Sequence, residues 1–421
     1  MAELIRYDNG LRLILERLPS VRSAVTGIWV GAGSCDESDG DNGISHFTEH
    51  MMFKGTDKLS AFEIAESFER LGANINAFTG KECTCYYVKS IDEHAEKCFG
   101  LLAHIFFDST FPDAEIVRER KVVEEEINMV EDAPEEICYD LLAKSLYGAH
   151  PLGKTILGPK ENVRRFTGMD AASYTAKKYR PDNMVVAVAG NVTAAQADGF
   201  VKKYILTREA ADCAPAAKRK KIKNVFKRTH TERISDNFEQ ANIGIGFPSL
   251  GFNDPQSTVQ GVLSTVLGGS MSSRLFQRVR EELGLCYSIY TAPSAYTANG
   301  SFNILVNISA RNTAQTLDAI FCELKRFLKE GVTPDELARA KNQLKSACIF
   351  AQESVQTVMS SSGKLLTLAD EPYEIDKKLR EIDAVTADAI TALANGLFTK
   401  KEIASAYVGK AHGVNVEKFA L

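Results

Sequence analysis

The sequence predicts an α+β protein made of two tandem, homologous domains, each a largely antiparallel sheet covered by helices. Three observations lead there. At 421 residues the chain has the length of two or three ordinary domains. Strand-like segments arrive in hairpin-like pairs between long helical patterns, which favours helices packed on a largely antiparallel sheet. Finally, segments recur at a nearly constant offset, the mark of an internal duplication.

The elements that carry the repeat come in order along the chain. Ala24–Val30 (AVTGIWV) reads as a buried strand, and Ala241–Phe247 (ANIGIGF) echoes it 217 positions later. Phe111-Pro-Asp-Ala-Glu-Ile opens a helix, and Val332-Thr-Pro-Asp-Glu-Leu does the same about 221 positions on. Met184–Gly190 (MVVAVAG) and Ile403–Gly409 (IASAYVG), 219 apart, are β-rich segments that close on glycine. Between the halves, 207–224 (TREAADCAPAAKRKKIKN) is rich in Ala and Lys and has no apolar periodicity, as a linker should be. The expected division is therefore a first domain over 1–206, a linker over 207–224 and a homologous second domain over 225–421. The basic run Lys218–Lys221 has no interleaved aromatic residues and reads as solvated linker.

Composition narrows the function. With 44% hydrophobic and 25% charged residues the chain can bury a large core, which excludes general disorder. Fifty basic against 55 acidic residues give a net charge of -5, so neither nucleic acid nor an anionic membrane is expected as partner. The first ten residues show no signal-peptide pattern, and no apolar run approaches the roughly 20 residues that span a bilayer. The nine cysteines are odd in number and form no C-x-x-C pairs, which points to a reducing cytoplasm.

The chemistry is expected at His46-Phe-Thr-Glu-His50. Spacing of i and i+4 puts both imidazoles on one helix face, where their nitrogens can converge on one ion. Glu49 lies beside the second histidine and can reach a metal-bound water without being a ligand. At this composition such a pattern is expected by chance about 0.015 times per chain, so it is informative. The plain alternative is two surface histidines beside an acid.

Zinc hydrolases commonly take three protein ligands and leave one position for water. The helical segment Glu119–Val130 (ERKVVEEEINMV) offers the third. Glu119, Val122, Val123, Glu126, Ile127 and Val130 are expected on one apolar face, with Glu124 and Glu125 projecting elsewhere. An inward carboxylate is costly unless paired or coordinating a cation. Glu126 is therefore the expected ligand and Glu119 a supporting residue, the alternative being salt-bridged glutamates at the edge of the core.

Taken together these residues resemble the pitrilysin family of zinc peptidases, which includes insulin-degrading enzyme and the mitochondrial processing peptidase. The family carries the inverted motif H-x-x-E-H and a ligand glutamate some 75 residues on; here His50 to Glu126 is 76 residues. The surrounding text agrees: Gly43-Ile-Ser-His46, His50-Met-Met-Phe-Lys-Gly-Thr56, Asn76-Ala-Phe-Thr79, and Ser273–Tyr287 in the second half. The resemblance covers essentially the whole chain and is greatest to compact processing-protease-like members, in which two repeats form half of a clamshell and two chains pair.

That resemblance implies a zinc-dependent endopeptidase with one Zn2+ per chain on His46, His50 and Glu126. Glu49 would be the general base and then acid, with Glu119 supporting the site. Asn76, Ala77 and Phe78 resemble the family's edge strand, which takes a peptide by β-augmentation. Arg280 and Tyr287 match the arginine and tyrosine that reach the substrate and stabilise the developing oxyanion. Substrates would be unfolded peptides or presequence-like segments, and the assembly a homodimer. Between Pro255 and Arg280 there is no His, Asp or Glu, and Ala347 falls where Glu126 sits, so only the first repeat can bind zinc. The rival reading is a scaffold or partner subunit that kept the fold and lost the chemistry. Cys83 and Cys85, beside the substrate strand, leave thiol sensitivity open, with buried small side chains the simpler explanation.

Overall fold

The computed structural model describes residues 2–208, 229–399 and 402–411. All but the first two residues of the expected linker, with its basic run, lie outside the described residues. Two compact units form: Met1–Ile127 with Thr155–Arg219 and Phe350–Glu374, and Asn128–Lys154 with Lys220–Ile349 and Ile375–Leu421.

The first unit is built on six strands: β1 (Glu3–Arg6), β2 (Arg12–Arg17), β3 (Ser23–Val30), β4 (Asn74–Thr79), β5 (Thr84–Ile91) and β6 (Met184–Gly190). Their order across the sheet is β1-β2-β6-β3-β5-β4. All neighbours are antiparallel except β2 and β6, where Arg12 lies opposite Val185. β3 and β6 are buried nearly throughout, which is why they read as continuous apolar runs. β4 alternates exposed and half-buried residues and forms an edge of the sheet.

Period-two alternation sends the apolar side chains to both faces. Leu13, Leu15, Ile28, Val30, Val186 and Val188 pack towards a core that contains Phe47, Phe99 and Leu102. Ile14, Val25, Trp29, Val185 and Ala187 face the other way, where Val358, Met359 and Leu366 of the Val355–Ala369 helix cover them. Trp29 Nε1 points at Met359 Sδ, 3.4 Å away.

The second unit repeats the plan with β7 (Thr229–Ile234), β8 (Ala241–Ser249), β9 (Cys286–Thr291), β10 (Ser294–Ala295), β11 (Gly300–Ile308) and β12 (Ala404–Gly409). The path β7-β12-β8-β11, with β9 and β10 on β11, matches β2-β6-β3-β5-β4, including the single parallel pair, β7 with β12. Its covering helix is Pro134–Tyr147, whose Ile137, Cys138, Leu142 and Leu146 pack with Leu305, Ala404, Ala406 and Val408. Each sheet therefore takes one covering helix from the other half of the sequence, so the compact units are not contiguous stretches of chain. Among the described residues no helix is long and apolar enough to cross a membrane.

Candidate metal centre

The helix Ile44–Met51 carries the paired histidines. It starts at Gly43, whose φ of 103° lies in the left-handed region that suits glycine. Its first amides are satisfied from outside by the buried Glu37 carboxylate. That group accepts from Gly43 N at 2.8 Å, Ser45 N at 2.8 Å and Asn42 Nδ2 at 3.0 Å. A negative charge at a helix N-terminus also complements the helix dipole. The Ser45 and Tyr174 hydroxyls, 2.7 Å apart, tie the same turn to the core. His46 and His50 follow one turn apart, ring centroids 4.6 Å from each other.

The second contribution comes from the helix Asp113–Glu131, which buries Ile116, Glu119, Val123 and Ile127. Val122, expected on this face, is 45% exposed. Consecutive helical residues turn by about 100°, which carries Val122 off the stripe centred on Val123. Glu124 instead pairs with Arg164 at 3.2 Å, and Glu125 is exposed. Glu126 sits at the edge of the stripe, and its Oε2 lies 3.6 Å from His46 Nε2 and 3.5 Å from His50 Nε2.

These three side chains fit a zinc ion. Ligand atoms at the corners of a tetrahedron with bonds of about 2.1 Å stand roughly 3.4 Å apart, close to both observed separations. The ligand atoms of the three residues all lie within 4.8 Å of one another. Two imidazoles and one carboxylate also leave the fourth position free, as a hydrolytic site requires.

The surroundings tune these groups. Burial, then the neighbouring His50, pushes His46 down to about 3, so its ring is neutral with a lone pair available. Its Nδ1 is buried with no hydrogen-bond partner among the described residues. On His50, burial alone would lower the pKa, but Glu119, Glu126 and Glu49 outweigh it and the net shift is upward. The field that draws a proton onto His50 also attracts a divalent cation. Glu119, 3% exposed, meets His50 Nδ1 at 2.8 Å and Lys54 Nζ at 2.7 Å. Burial raises its carboxyl, but these two partners prevail and hold it below the ordinary range. Glu49 accepts a hydrogen bond from the Thr79 hydroxyl at the end of β4. Its carboxyl is raised, chiefly by burial, and a raised carboxyl suits a proton carrier near neutrality.

Known proteins resemble this chain over most of its length. The model of the insulinase peptidase family M16 matches residues 12–160, and that of the M16 inactive domain matches residues 165–344. The chain belongs to the M16 peptidase family. It is 42% identical over 398 residues to a Bacillus subtilis protein named as an uncharacterized zinc protease, YmxG, covering 93% of this chain and 95% of that one. A Streptomyces coelicolor protein named likewise is 35% identical over 399 residues, covering 93% and 86%. The fold is shared with a protease from Helicobacter pylori, at TM-score 0.89 and 22% identity over 97% of this chain and 99% of that one. An M16 inactive-domain protein of Pseudomonas fluorescens gives TM-score 0.88 at 21% identity, over 97% and 98%. Family and relatives together make this M16 chain a zinc protease in general terms.

The remaining residues singled out in this M16 sequence fall in two places. Asn76 is exposed on β4, Ala77 is half-buried, and Phe78 packs edge-on against Trp29 with centroids 5.4 Å apart. Cys83 and Cys85 are buried and in no disulfide among the described residues, and burial pushes the Cys85 thiol well up, the state of an inert side chain. Arg280 and Tyr287 belong to the second unit. Arg280 lies on a π-helical turn, Phe276–Glu282, a rare conformation that recurs at functional sites. Its guanidinium sits over the Phe276 ring at 4.6 Å and the Tyr287 ring at 5.7 Å, and Tyr287 is 75% exposed.

Three contributors were not foreseen: Lys54, Thr79 and Glu37. Lys54 and Thr79 lie inside motifs already noted, four residues after His50 and three after Asn76. Glu37 had a weaker signal, an acid shortly before a glycine-led helix.

Proposed function

We propose that this M16 protein is a zinc-dependent endopeptidase that hydrolyses unfolded peptides or presequence-like segments. The observation that carries the reading is the convergence of His46, His50 and Glu126 at tetrahedral-edge distances, with Glu49 beside them on the same helix. A scaffold subunit would have no need to keep that set together.

His46, His50 and Glu126 are the ligands in this reading, for one ion per chain. When bound, zinc supplies Lewis acidity towards a water and a peptide carbonyl. Glu49, held by Thr79, takes a proton from the attacking water and delivers it to the leaving amine. Because Thr79 ends β4, the same strand that orients the base can accept an extended peptide along its edge through Asn76, Ala77 and Phe78. Main-chain pairing of that kind tolerates many sequences and requires an extended, unfolded segment. Glu119 orients His50. Arg280, whose guanidinium lies over the Phe276 and Tyr287 rings, and the exposed Tyr287 supply a cationic and a phenolic donor for the substrate. A reducing, cytoplasmic setting belongs to the same reading, supported by an odd number of cysteines with no C-x-x-C pairs. Pairing of two chains as a homodimer completes the proposal.

The test is cleavage of a peptide library with and without chelator, alongside Glu49→Gln. The parent should cleave only with metal, and Glu49→Gln should retain zinc and lose cleavage. A variant that retains zinc and cleaves like the parent removes Glu49 from the base role. A parent without metal-dependent cleavage returns the protein to the scaffold reading. Rapid cleavage of a stably folded protein would overturn the substrate class.

A further inference from the structure

We infer that Lys54 is a positioning residue of the metal centre: it fixes the Glu119 carboxylate in the orientation from which Glu119 sets the His50 ring. The inference rests on His46, His50 and Glu126 being the zinc ligands.

Glu119 has two oxygens and one partner on each. Oε1 lies 2.8 Å from His50 Nδ1 and Oε2 lies 2.7 Å from Lys54 Nζ. The terminal torsion of a glutamate is broad and roughly two-fold, so a single hydrogen bond leaves the carboxylate plane free to swing. A second anchor on the other oxygen removes that freedom. The oriented carboxylate then receives Nδ1–H of His50, which leaves Nε2, the atom 3.5 Å from Glu126, with its lone pair for the metal.

Lys54 is itself delivered by an ordered turn. It follows the last turn of the Ile44–Met51 helix, where its amide donates to Met51 O at 3.1 Å. In the same turn the Met52 carbonyl accepts from Ser109 Oγ at 3.0 Å. Its ammonium therefore approaches Glu119 from the same short segment that presents His50.

Charge points the same way. Glu49, Glu119 and Glu126 bring three carboxylates to a partly buried cluster. A divalent ion offsets two negative charges and Lys54 the third. Without Lys54 the occupied centre keeps an uncompensated negative charge, which is costly away from water.

The simpler possibility is that Lys54 and Glu119 only staple two segments together. Zinc affinity of the full-length apo protein, measured by competition with a chromophoric chelator, separates the two. Outer partners of metal ligands are worth about 10- to 100-fold in affinity. Lys54→Met should therefore weaken zinc by about tenfold or more, and Lys54→Arg, which can still pair with Oε2, should recover most of it. Lys54→Gln, which keeps a donor and drops the charge, should fall between the parent and Lys54→Met. In a Glu119→Gln background Lys54→Met should cost almost nothing further, because both changes remove the same constraint. Parent-like affinity for Lys54→Met or Lys54→Gln overturns the proposal. So does an undiminished loss for Lys54→Met in the Glu119→Gln background. His50→Ala is the control for the underlying assignment: if it binds zinc as the parent does, the ligand set is wrong, whatever Lys54 does.

Discussion

Thr79 offers a sharp test of the base. Its hydroxyl donates to Glu49 Oε2, and that hydrogen bond is one of the influences that oppose the burial of the carboxylate. Thr79→Val keeps the branched shape and the packing at the end of β4 but removes the donor. A hydrogen bond to an ionised group contributes about 1.5–3 kcal/mol, and one pKa unit corresponds to about 1.4 kcal/mol. Because Glu49 is only partly buried, the lower end applies, and its pKa should rise by about one unit. Glu49 accepts a proton only when ionised, so a higher pKa lowers the competent fraction at acid pH. The acid limb of the rate profile then moves to higher pH, and the plateau above it changes little. A metal ion shifts Glu49 in both proteins alike, so the difference between them survives its presence.

The assay is kcat/KM for an internally quenched peptide across the acid range, since that quantity reports groups of the free enzyme. Thr79→Ser should track the parent. An acid limb in Thr79→Val that coincides with the parent's, with cleavage intact, would show that Glu49 does not set it.

Arg280→Lys keeps the charge but loses the planar group stacked on Phe276 and Tyr287; kcat/KM should fall about tenfold or more while the melting temperature holds. Gly363→Ala places a methyl group against the Trp29 indole, inside contact distance, and should cost about 1–3 kcal/mol in urea unfolding. Arg274→Met leaves Glu336 without its guanidinium and Glu323 with Arg326 alone, and should cost about 3–5 kcal/mol by the same measurement. Acid should act through that pair as well. Burial raises Glu336, but Arg274 and Thr333 prevail and take it from 4.5 down to about 2. A depressed carboxyl stabilises the fold above its unfolded value, so this contribution should fade as pH falls from 4.5 towards 2. The fading should be smaller in Arg274→Met, where Thr333 alone still holds the carboxyl down.

Much of the fold and site could be read from the chain because the relevant signals are local or repeated. Helical spacing alone brings His46 and His50 together, and it separates Glu126 from Glu124 and Glu125. The duplicated strands announce themselves because β3 and β8 are central and buried, so their sequences cannot drift far from an apolar run. Val122 shows the limit of periodicity, since an apolar residue at the margin of a stripe looks the same whether it faces inward or out. Lys54 shows another: a lysine has no local pattern that reveals a carboxylate 65 positions away. The exchange of covering helices was hidden for the same reason. Pro134–Tyr147 and Val355–Ala369 each carry an apolar face, and nothing within a helix says which sheet it will cover.

The second unit shows what this fold does when no metal is required. At the 217-residue offset that relates Ala24 to Ala241, the positions of His46, Glu49 and His50 are taken by Leu263, Val266 and Leu267. At the 221-residue offset, Glu119 becomes Ala340. All four are buried in one apolar cluster, on the helices Ser257–Gly268 and Pro334–Ala351. At these four positions the second unit therefore buries hydrocarbon where the first carries ionisable groups. In the first unit the equivalent space holds two imidazoles and three carboxylates, which are costly to bury without a cation. Since the scaffold forms without them, those residues are not a requirement of the fold. A structural zinc is normally enclosed by four protein ligands, whereas this set provides three and leaves a position open. At those positions the first repeat gives up the apolar burial that the second has, and what it gains is a site where a hydrolytic metal can work.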